Sequence, residues 1–208
     1  MPQRLTRKEQ QARTRSRLMR SAEKLFSRRG LDGASIDDVA RDAGFTKGAF
    51  YANFRSKEEL FLAMLDERFA QRIEEIDRVM ESGDEPEAQA RRAGADFATY
   101  LRSDPEWERL FFEFAAYATR DARFREQLVT RYRAMRERIA DAYRTRSEEL
   151  GVEPPIPPDQ IALMVFAMGN GFALEKLLEP DVPDELIGTM LVVLSAGLRA
   201  MSEEKAAV

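Results

Sequence analysis

Apolar residues recur at helical spacing along almost the whole chain. Leu18, Ala22, Leu25 and Phe26 mark the apolar face of a first helix, and Gly30 ends it. The same periodicity predicts about nine helices in all and no strand, so the predicted fold class is all-α. The later helices are predicted at about 35–43, 46–54, 57–82, 87–103, 105–119, 122–150, 159–178 and 184–202.

Polar residues and prolines mark where several of these helices begin and end. Ser35 can cap the second helix, with Asp38 three residues on in a capping-box arrangement. Ser56 and Glu59 form a second capping box before the long fourth helix. The proline-rich segment 153–158 cannot be helical and is predicted to be a stiff extended connector.

Residues 35–54 have the pattern of a helix-turn-helix. Two short helices are joined by Ala43, Gly44 and Phe45, and the glycine permits the positive φ of a tight turn. Val39 and Phe50 are apolar where the pair must pack on the first helix. The second helix of the pair is then free to enter a DNA major groove. A helical hairpin inside a core is the alternative for such a pattern.

The start of that second helix offers small, polar and basic side chains to DNA. Lys47 can reach a guanine edge or a phosphate, while Gly48 and Ala49 allow close approach to the bases. Tyr51 can donate its hydroxyl to a phosphate, and the fourth helix begins with free backbone amides beside Lys57. The predicted DNA-binding residues are Ser35, Thr46, Lys47, Gly48, Ala49, Tyr51, Lys57 and Arg7.

Charge is divided unequally along the chain. Residues 1–57 carry 14 Lys and Arg against 6 Asp and Glu, a net charge of +8, whereas residues 58–208 have a net charge of −12. A cationic N-terminal part on an anionic body favours a polyanionic partner for the N-terminal part alone.

The run from Leu25 to Leu65 closely resembles the DNA-binding part of TetR-family regulators, and the specific resemblance covers roughly residues 10–65. The matching positions are Gly30, Leu31, Ser35, Val39, Ala40, Ala43, Gly44, Lys47, Gly48, Tyr51, Phe54, Ser56, Lys57, Glu58, Glu59 and Leu60. The resemblance implies a three-helix DNA-binding domain at 1–57 and a ligand-binding and dimerisation domain at 58–208.

Two positions depart from that family pattern, and one segment is open to two interpretations. Asn53 stands where family members often have histidine. Asp37 occupies a position that sometimes reads a base, where an acid could accept from cytosine but would repel phosphate. The basic residues Arg4, Arg7, Lys8, Arg13, Arg15 and Arg17 form either an arm that reaches DNA, as in similar proteins, or a solvated tail.

Eight of the 19 aromatic residues lie between positions 97 and 124. Such a cluster is either a packed core or the wall of an apolar pocket with few polar anchors. The resemblance implies that this body holds an inducer, with Glu113, Asn170 and Glu175 as candidate polar contacts. The predicted ligand-binding residues are Met64, Phe97, Trp107, Phe111, Phe114, Tyr117, Met168 and Phe172.

The last two helices, at about 159–178 and 184–202, are predicted to pair two subunits in a four-helix interface. Ile161, Val165, Met168 and Phe172 form one apolar stripe, and Met190, Val193, Leu194, Gly197 and Leu198 form another. A role in the monomer core is the alternative. A dimer is favoured because one short helix-turn-helix makes too few base contacts for specific affinity. Two-fold symmetry instead places two reading helices about 34–36 Å apart on a palindrome.

The composition also argues against an enzyme, a metalloprotein and a secreted or membrane protein. The chain has no Cys and no His, so no metal site, cofactor or enzymatic activity is expected. The polar N-terminus indicates no secretory signal. The 14-residue apolar stretch from Ile161 to Leu174 has the length of a buried core helix rather than of a membrane span. A cytoplasmic protein without a membrane partner is therefore expected.

The predicted function is that of a ligand-responsive repressor. It binds a palindromic double-stranded DNA operator as a homodimer and is released by a small apolar or aromatic effector. A DNA-binding regulator without a small-molecule ligand, or an activator, is the alternative.

Overall fold

A computed structural model of the chain describes residues 6–206, and within that range it contains nine helices and no strand. The predicted all-α class is therefore confirmed. The helices are α1 (Arg7–Gly33), α2 (Ile36–Asp42), α3 (Lys47–Tyr51), α4 (Lys57–Met80), α5 (Pro86–Ser103), α6 (Pro105–Ala118), α7 (Ala122–Leu150), α8 (Pro158–Leu178) and α9 (Glu185–Ala206).

The first helix is long and is interrupted at Gly30, the residue that the sequence predicted to end it. It begins at Arg7, so the described basic residues near the N-terminus are helical, whereas Arg4 lies outside the described residues. Helical structure continues past Gly30 to Gly33, with a kink at Gly30, where φ is 72° and ψ is 170°. Glycine adopts such a positive φ without steric strain, so the regular helix that begins at Arg7 ends here, where the sequence predicted its end, and a short helical turn follows up to Gly33.

The described helices divide into two compact units. The first contains the described residues up to Arg68 together with Arg109–Leu128. Its core is a cluster of aromatic rings from four helices, in which Phe114 of α6 stacks on Phe61 of α4, with ring centroids 3.6 Å apart. Phe26 of α1 and Phe124 of α7 meet the Phe114 ring at 6.4 and 5.7 Å. Together these buried rings form an apolar core of the first unit.

The second unit contains Phe69–Glu108 and the described chain from Val129 onward. Part of its core lies between the second half of α4, α7 and α8. Met135, Ile139, Ala140 and Ala162 are buried there, with Phe69, Ile73, Ile76, Tyr143, Val165 and Phe166 packed against them. Burial raises the pKa of Tyr143 to about 12, so its hydroxyl stays protonated at neutral pH.

The closest helix pair of the second unit is α5 and α9. A Cβ atom added to Gly94 would lie 2.3 Å from the Cα atom of Gly188 and 2.5 Å from its backbone nitrogen. The two backbones are therefore in direct contact, which only glycine at position 94 permits. A Cβ on Gly188 would instead meet the Arg91 backbone at 3.5 Å, an ordinary contact distance.

The domain boundary at residue 57 stays a prediction. The compact units do not follow it, because residues 58–68 and 109–128 belong to the first unit. The aromatic cluster around Phe114 accounts for this grouping, since it joins α4 and α6 to α1.

Substitution of Gly94 by alanine tests the contact between α5 and α9. The added methyl group forces the helices apart, so Gly94→Ala is expected to destabilise the protein by about 1–3 kcal/mol. Gly188→Ala is the matched control. It should be neutral or stabilising by up to about 1 kcal/mol, because alanine favours the helix and the new Cβ meets its nearest neighbour, the Arg91 backbone, at an ordinary 3.5 Å. Urea unfolding measures the free energy of unfolding of each variant, and equal values for the two variants would contradict the inferred packing.

Candidate nucleic-acid interface

The start of α2 is fixed by the predicted capping box. The hydroxyl of Ser35 accepts a hydrogen bond from the backbone N–H of Asp38 at 3.1 Å, and the Asp38 carboxylate accepts from the Ser35 backbone N–H, also at 3.1 Å. The hydroxyl also donates to that carboxylate at 2.7 Å. These bonds lower the pKa of Asp38, the Ser35 side chain contributing most. Ser35, a predicted DNA contact, therefore acts in this structure as the cap of α2.

The turn between α2 and α3 is built around Gly44, whose φ is 74°. The backbone N–H of Phe45 donates to the Ala40 carbonyl at 2.7 Å, which closes the turn. Thr46 then caps α3, its hydroxyl accepting from the Ala49 N–H at 3.2 Å. These bonds hold the short α3, which at five residues is too short to be stable alone.

Two arginines of α1 hold the ends of this helix pair. The Arg17 guanidinium lies 4.7 Å from the ring centre of Phe45 in the turn. The Arg15 guanidinium donates to the Asn53 carbonyl at 2.6 Å and lies 4.2 Å from the ring centre of Phe54, beyond the end of α3. Both residues belong to the predicted basic arm. In this structure they fasten α1 to α3 rather than extend toward a partner.

The α3 helix is buried on one side and exposed on the other. Phe50 is fully buried, whereas Thr46, Lys47 and Gly48 are exposed and Tyr51 is 50% exposed. Phe50 thus anchors the helix while its first turn and Tyr51 face outward. The structure brings these four exposed residues together, and Ala49 beside them is half-buried.

A charged pair joins α2 to α3 on this exposed side. The Lys47 ammonium donates to the Asp37 carboxylate at 3.1 Å, and this bond raises the pKa of Lys47. The Asp37 and Lys47 side chains are 47% and 57% exposed.

Lys57 does not have the predicted arrangement. Its ammonium donates to the carbonyl oxygens of Leu31 at 2.6 Å and of Ala34 at 3.2 Å. Because these bonds direct the charge into the end of α1, the side chain is engaged within the protein rather than offered to a phosphate. Arg7, at the first turn of α1, is exposed.

Glu113 of α6 also differs from its predicted role as a polar ligand contact. Its carboxylate accepts a hydrogen bond from the backbone N–H of Leu31 at 2.6 Å, directly after the kink at Gly30. A Cβ on Gly30 would lie 3.1 Å from that carboxylate. Glu113 and Lys57 thus bind the same segment, residues 30–34, which leads into the helix-turn-helix. Sequence reasoning could not find this link, since the partners are 82 and 26 positions apart.

The predicted ligand-binding residues do not form a single cluster within one unit. Met64, Phe111, Phe114 and Tyr117 lie in the first unit, and Phe97, Trp107, Met168 and Phe172 lie in the second. Phe114 is fully buried in the aromatic core and Trp107 is 2% exposed, so both pack as core residues. Phe114 has the packed-core arrangement in this structure, with its ring stacked on Phe61 and tilted against Phe124, and the ligand-binding role of the eight residues stays a prediction.

The remaining predicted residues differ in exposure. Met64, Phe111 and Phe172 are buried, whereas Phe97, Tyr117 and Met168 are half-buried. In the second unit, the Arg72 guanidinium lies 5.0 Å from the ring centre of Phe97. A surface cavity of about 580 Å³ lies elsewhere in that unit, between the 153–158 connector, the end of α7 and Lys205. None of the eight predicted residues lines that cavity.

The last two helices expose much apolar surface, which on α8 lies on a different face from the predicted stripe and on α9 includes Val193 of the predicted stripe. On α8, Ile161 and Phe172 are buried, and the exposed apolar residues are Leu163, Met164, Leu174 and Leu178. On α9 they are Leu186, Val193 and Met201. The predicted α8 stripe therefore packs within its own chain, and the outward stripe lies on another face of the helix. A Cβ on Gly171 or Gly197 would meet no atom within 4 Å.

Both helices are long and apolar enough, by length and composition alone, to cross a membrane. Only 22% of the apolar window of α8 and 11% of that of α9 is buried within the chain. The expectation that 161–174 forms a buried core helix is therefore wrong in part, since one face of α8 has no cover from its own chain.

Two short helices that meet at a glycine turn, with the second exposed along its first turn, define a helix-turn-helix DNA-binding regulator. Comparison with known families agrees with this class. The model for bacterial regulatory proteins of the tetR family matches residues 18–64, and the C-terminal model of BetI-type transcriptional repressors matches residues 86–201. The chain belongs to the TetR family of transcriptional regulators.

The chain is also similar to individual proteins. The uncharacterized HTH-type transcriptional regulator YfiR of Bacillus subtilis is 23% identical over 178 residues, which cover 82% of this chain and 83% of YfiR. The structure of Salmonella enterica GusR superposes with a TM-score of 0.74 at 18% identity, covering 94% of this chain and 98% of that one.

Bacillus subtilis FadR, solved in complex with stearoyl-CoA, has a TM-score of 0.68 at 14% identity, with 90% of this chain and 97% of that one covered. At these identities the two solved structures show a shared fold.

Replacement of Glu113 tests the bond that links α6 to the α1–α2 segment. Glu113→Ala leaves the buried Leu31 N–H without its acceptor and should destabilise the protein by roughly 1–3 kcal/mol. Glu113→Gln keeps a carbonyl oxygen at the same place and should retain most of the stability. Urea unfolding gives both values, and hydrogen exchange at the Leu31 amide reports the bond itself. A Leu31 amide that is equally protected in Glu113→Ala and wild type would contradict this role.

Proposed function

We propose that this regulator is a ligand-responsive repressor that binds a palindromic operator as a homodimer. The observation that carries the proposal is the exposed first turn of α3, which Phe50 anchors from below. A major groove admits an α-helix of this kind, and its N-terminal residues then reach the base edges. Thr46, Lys47, Gly48 and Ala49 occupy those positions, with Tyr51 one turn further on for the phosphate backbone.

Charge supports the same orientation. The net charge of +8 in residues 1–57 attracts the DNA phosphates, and Arg7 on the exposed first turn of α1 adds to that surface. Lys57 is left out of the proposed contacts, because its ammonium bonds to two carbonyls within the protein. The start of α4 can still offer backbone amides to a phosphate.

The exposed apolar surface of α8 and α9 supports a dimer in which two copies pair through these helices. The apolar residues exposed on these helices are arranged at helical spacing, and Gly171 and Gly197 leave room for another helix to approach. Two helices from each subunit would form a four-helix interface that removes this surface from water. The dimer then presents two α3 helices to the two halves of a palindrome.

The proposed effector is a small apolar or aromatic molecule bound by the helical body. FadR of Bacillus subtilis, which shares the fold, was solved with the acyl thioester stearoyl-CoA. In this chain Phe97, Tyr117 and Met168 keep partial exposure, whereas Trp107 and Phe172 are buried. The effector can regulate DNA binding only if it binds the DNA-bound and the DNA-free states of the protein with different affinities.

Glu113 and Lys57 provide a direct route from the body to the DNA-binding helices. Both side chains bond to residues 31–34, at the entrance of α2. A displacement of α6 or of the first turn of α4 would pull on that segment and change the position of α2 and α3. By linkage, an effector that weakens DNA binding must itself bind more weakly to the DNA complex.

The DNA-binding role is tested by fluorescence anisotropy with the promoter region of the protein's own gene. The wild type should bind saturably at near-physiological salt with excess unrelated DNA, and Lys47→Ala/Tyr51→Ala should lose roughly 10- to 100-fold in affinity. Arg123→Ala, which removes an exposed charge from α7, is the control and should bind like the wild type.

If wild type and double variant bind equally weakly, a selection from random DNA decides the matter. Failure to enrich any shared sequence would show that the helix-turn-helix is not a specific reader.

The dimer is tested with a charge in the exposed apolar stripe. Val193 is 66% exposed in the single chain, and Val193→Glu would bury an unpaired carboxylate in the interface. Analytical ultracentrifugation should show a dimer for the wild type and a shift toward monomer for Val193→Glu. Val152→Glu, at a valine that is 45% exposed outside both helices, is the matched control and should stay dimeric. A wild type that is monomeric in buffer and floats with lipid vesicles would overturn the proposal in favour of a membrane partner.

A further inference from the structure

Asp37, in the first turn of α2, forms no capping hydrogen bond within its own helix. Asp38 supplies the carboxylate of the capping box with Ser35, whereas Asp37 turns to the neighbouring helix and accepts from Lys47 at 3.1 Å. The second carboxylate oxygen of Asp37 is buried and has no hydrogen-bond partner among the described residues. A buried acceptor without a partner is unfavourable for stability, and the ion pair with Lys47 and the position of an acid in the first turn of α2 offset that cost.

The position of this pair limits its possible partners. Both side chains are about half exposed at the first turns of α2 and α3, the surface that the proposed function places against DNA. A lone lysine there would suit a phosphate, but the adjacent carboxylate repels phosphate and cancels the charge. A donor next to an acceptor instead matches a base-pair edge in the major groove, which offers an acceptor next to a donor.

We propose that the Asp37–Lys47 pair reads one G·C base pair in each operator half-site, Lys47 donating to guanine and Asp37 accepting from the cytosine amino group. This inference rests on the proposed function. Guanine O6 and cytosine N4 are hydrogen-bonded to each other, so they lie about 2.9–3.0 Å apart. The Lys47 and Asp37 atoms are separated by 3.1 Å, so the pair can lie over that edge with each atom facing its complement.

An A·T pair fits the same two side chains less well. Its acceptor, thymine O4, stands beside the thymine methyl group, which crowds an ammonium. Guanine instead places a second acceptor, N7, beside O6, so an ammonium with several protons finds two acceptors. Aspartate accepting from cytosine N4 is likewise a favourable pairing.

The experiment is an in vitro selection of duplex DNA from a random library, with full-length wild type and Asp37→Asn at near-physiological salt. The wild type should select a symmetric site with one fixed G·C pair per half-site, and exchange of that pair for A·T should weaken binding about 5- to 100-fold. Asp37→Asn should lose the G·C preference at that position and keep the wild-type base preferences at the other positions of the site. Glu67→Gln, which removes the same charge from an exposed position on α4, should keep the wild-type preference.

A second measurement does not depend on the folding of any variant. Wild-type protein is titrated with the selected site carrying N4-methylcytosine in the fixed pair, which blocks the amino group on the major-groove side. The loss of affinity should match that of the A·T exchange.

The outcomes separate the two levels of the proposal. If the wild type enriches no sequence, the proposed function fails. If it enriches a site but Asp37→Asn keeps every base preference, or N4-methylcytosine binds like cytosine, the pair does not read a base and this inference fails alone. A fixed A·T pair that depends on Asp37 would overturn it as well.

Discussion

The short segment after the kink at Gly30 determines how the DNA-binding helices are held. Two side chains form hydrogen bonds with its backbone. The Glu113 carboxylate accepts from the Leu31 N–H, and the Lys57 ammonium donates to the Leu31 and Ala34 carbonyls. Gly30 interrupts the regular helix with its positive φ, and the Leu31 N–H directly after it donates to Glu113. Because the segment leads directly into α2, the position of the helix-turn-helix depends on α4 and α6 as much as on α1.

Much of the DNA-binding part could be predicted because its signals are local. Ser35 and Asp38 are three residues apart, and a capping box needs no information from the rest of the chain. The turn at Gly44 is fixed in the same way by its own φ requirement. Lys57 and Glu113 could not be assigned correctly, since their partners are distant in sequence and a charged residue gives no sign of which backbone group it will meet.

The body was harder to predict for a different reason. Periodicity identifies that a helix is apolar, but when apolar residues cover more than one face it does not say which face is covered by the same chain. On α8 the stripe through Ile161 and Phe172 packs inward, and the stripe through Met164 and Leu174 is exposed. The aromatic cluster poses the same problem, because Phe114 in a core and a phenylalanine in a pocket wall look alike in sequence.

The direct backbone contact between Gly94 and Gly188 has a consequence for communication between subunits. Side chains between two helices can change rotamer when one helix shifts, but at Gly94 and Gly188 the α5 and α9 backbones meet with no side chain between them. A shift of α5 must therefore be carried by α9 as a rigid displacement. In the proposed dimer α9 lies against the partner, so occupation of one subunit by effector would change the effector affinity of the other, and effector titrations would depart from a single hyperbola.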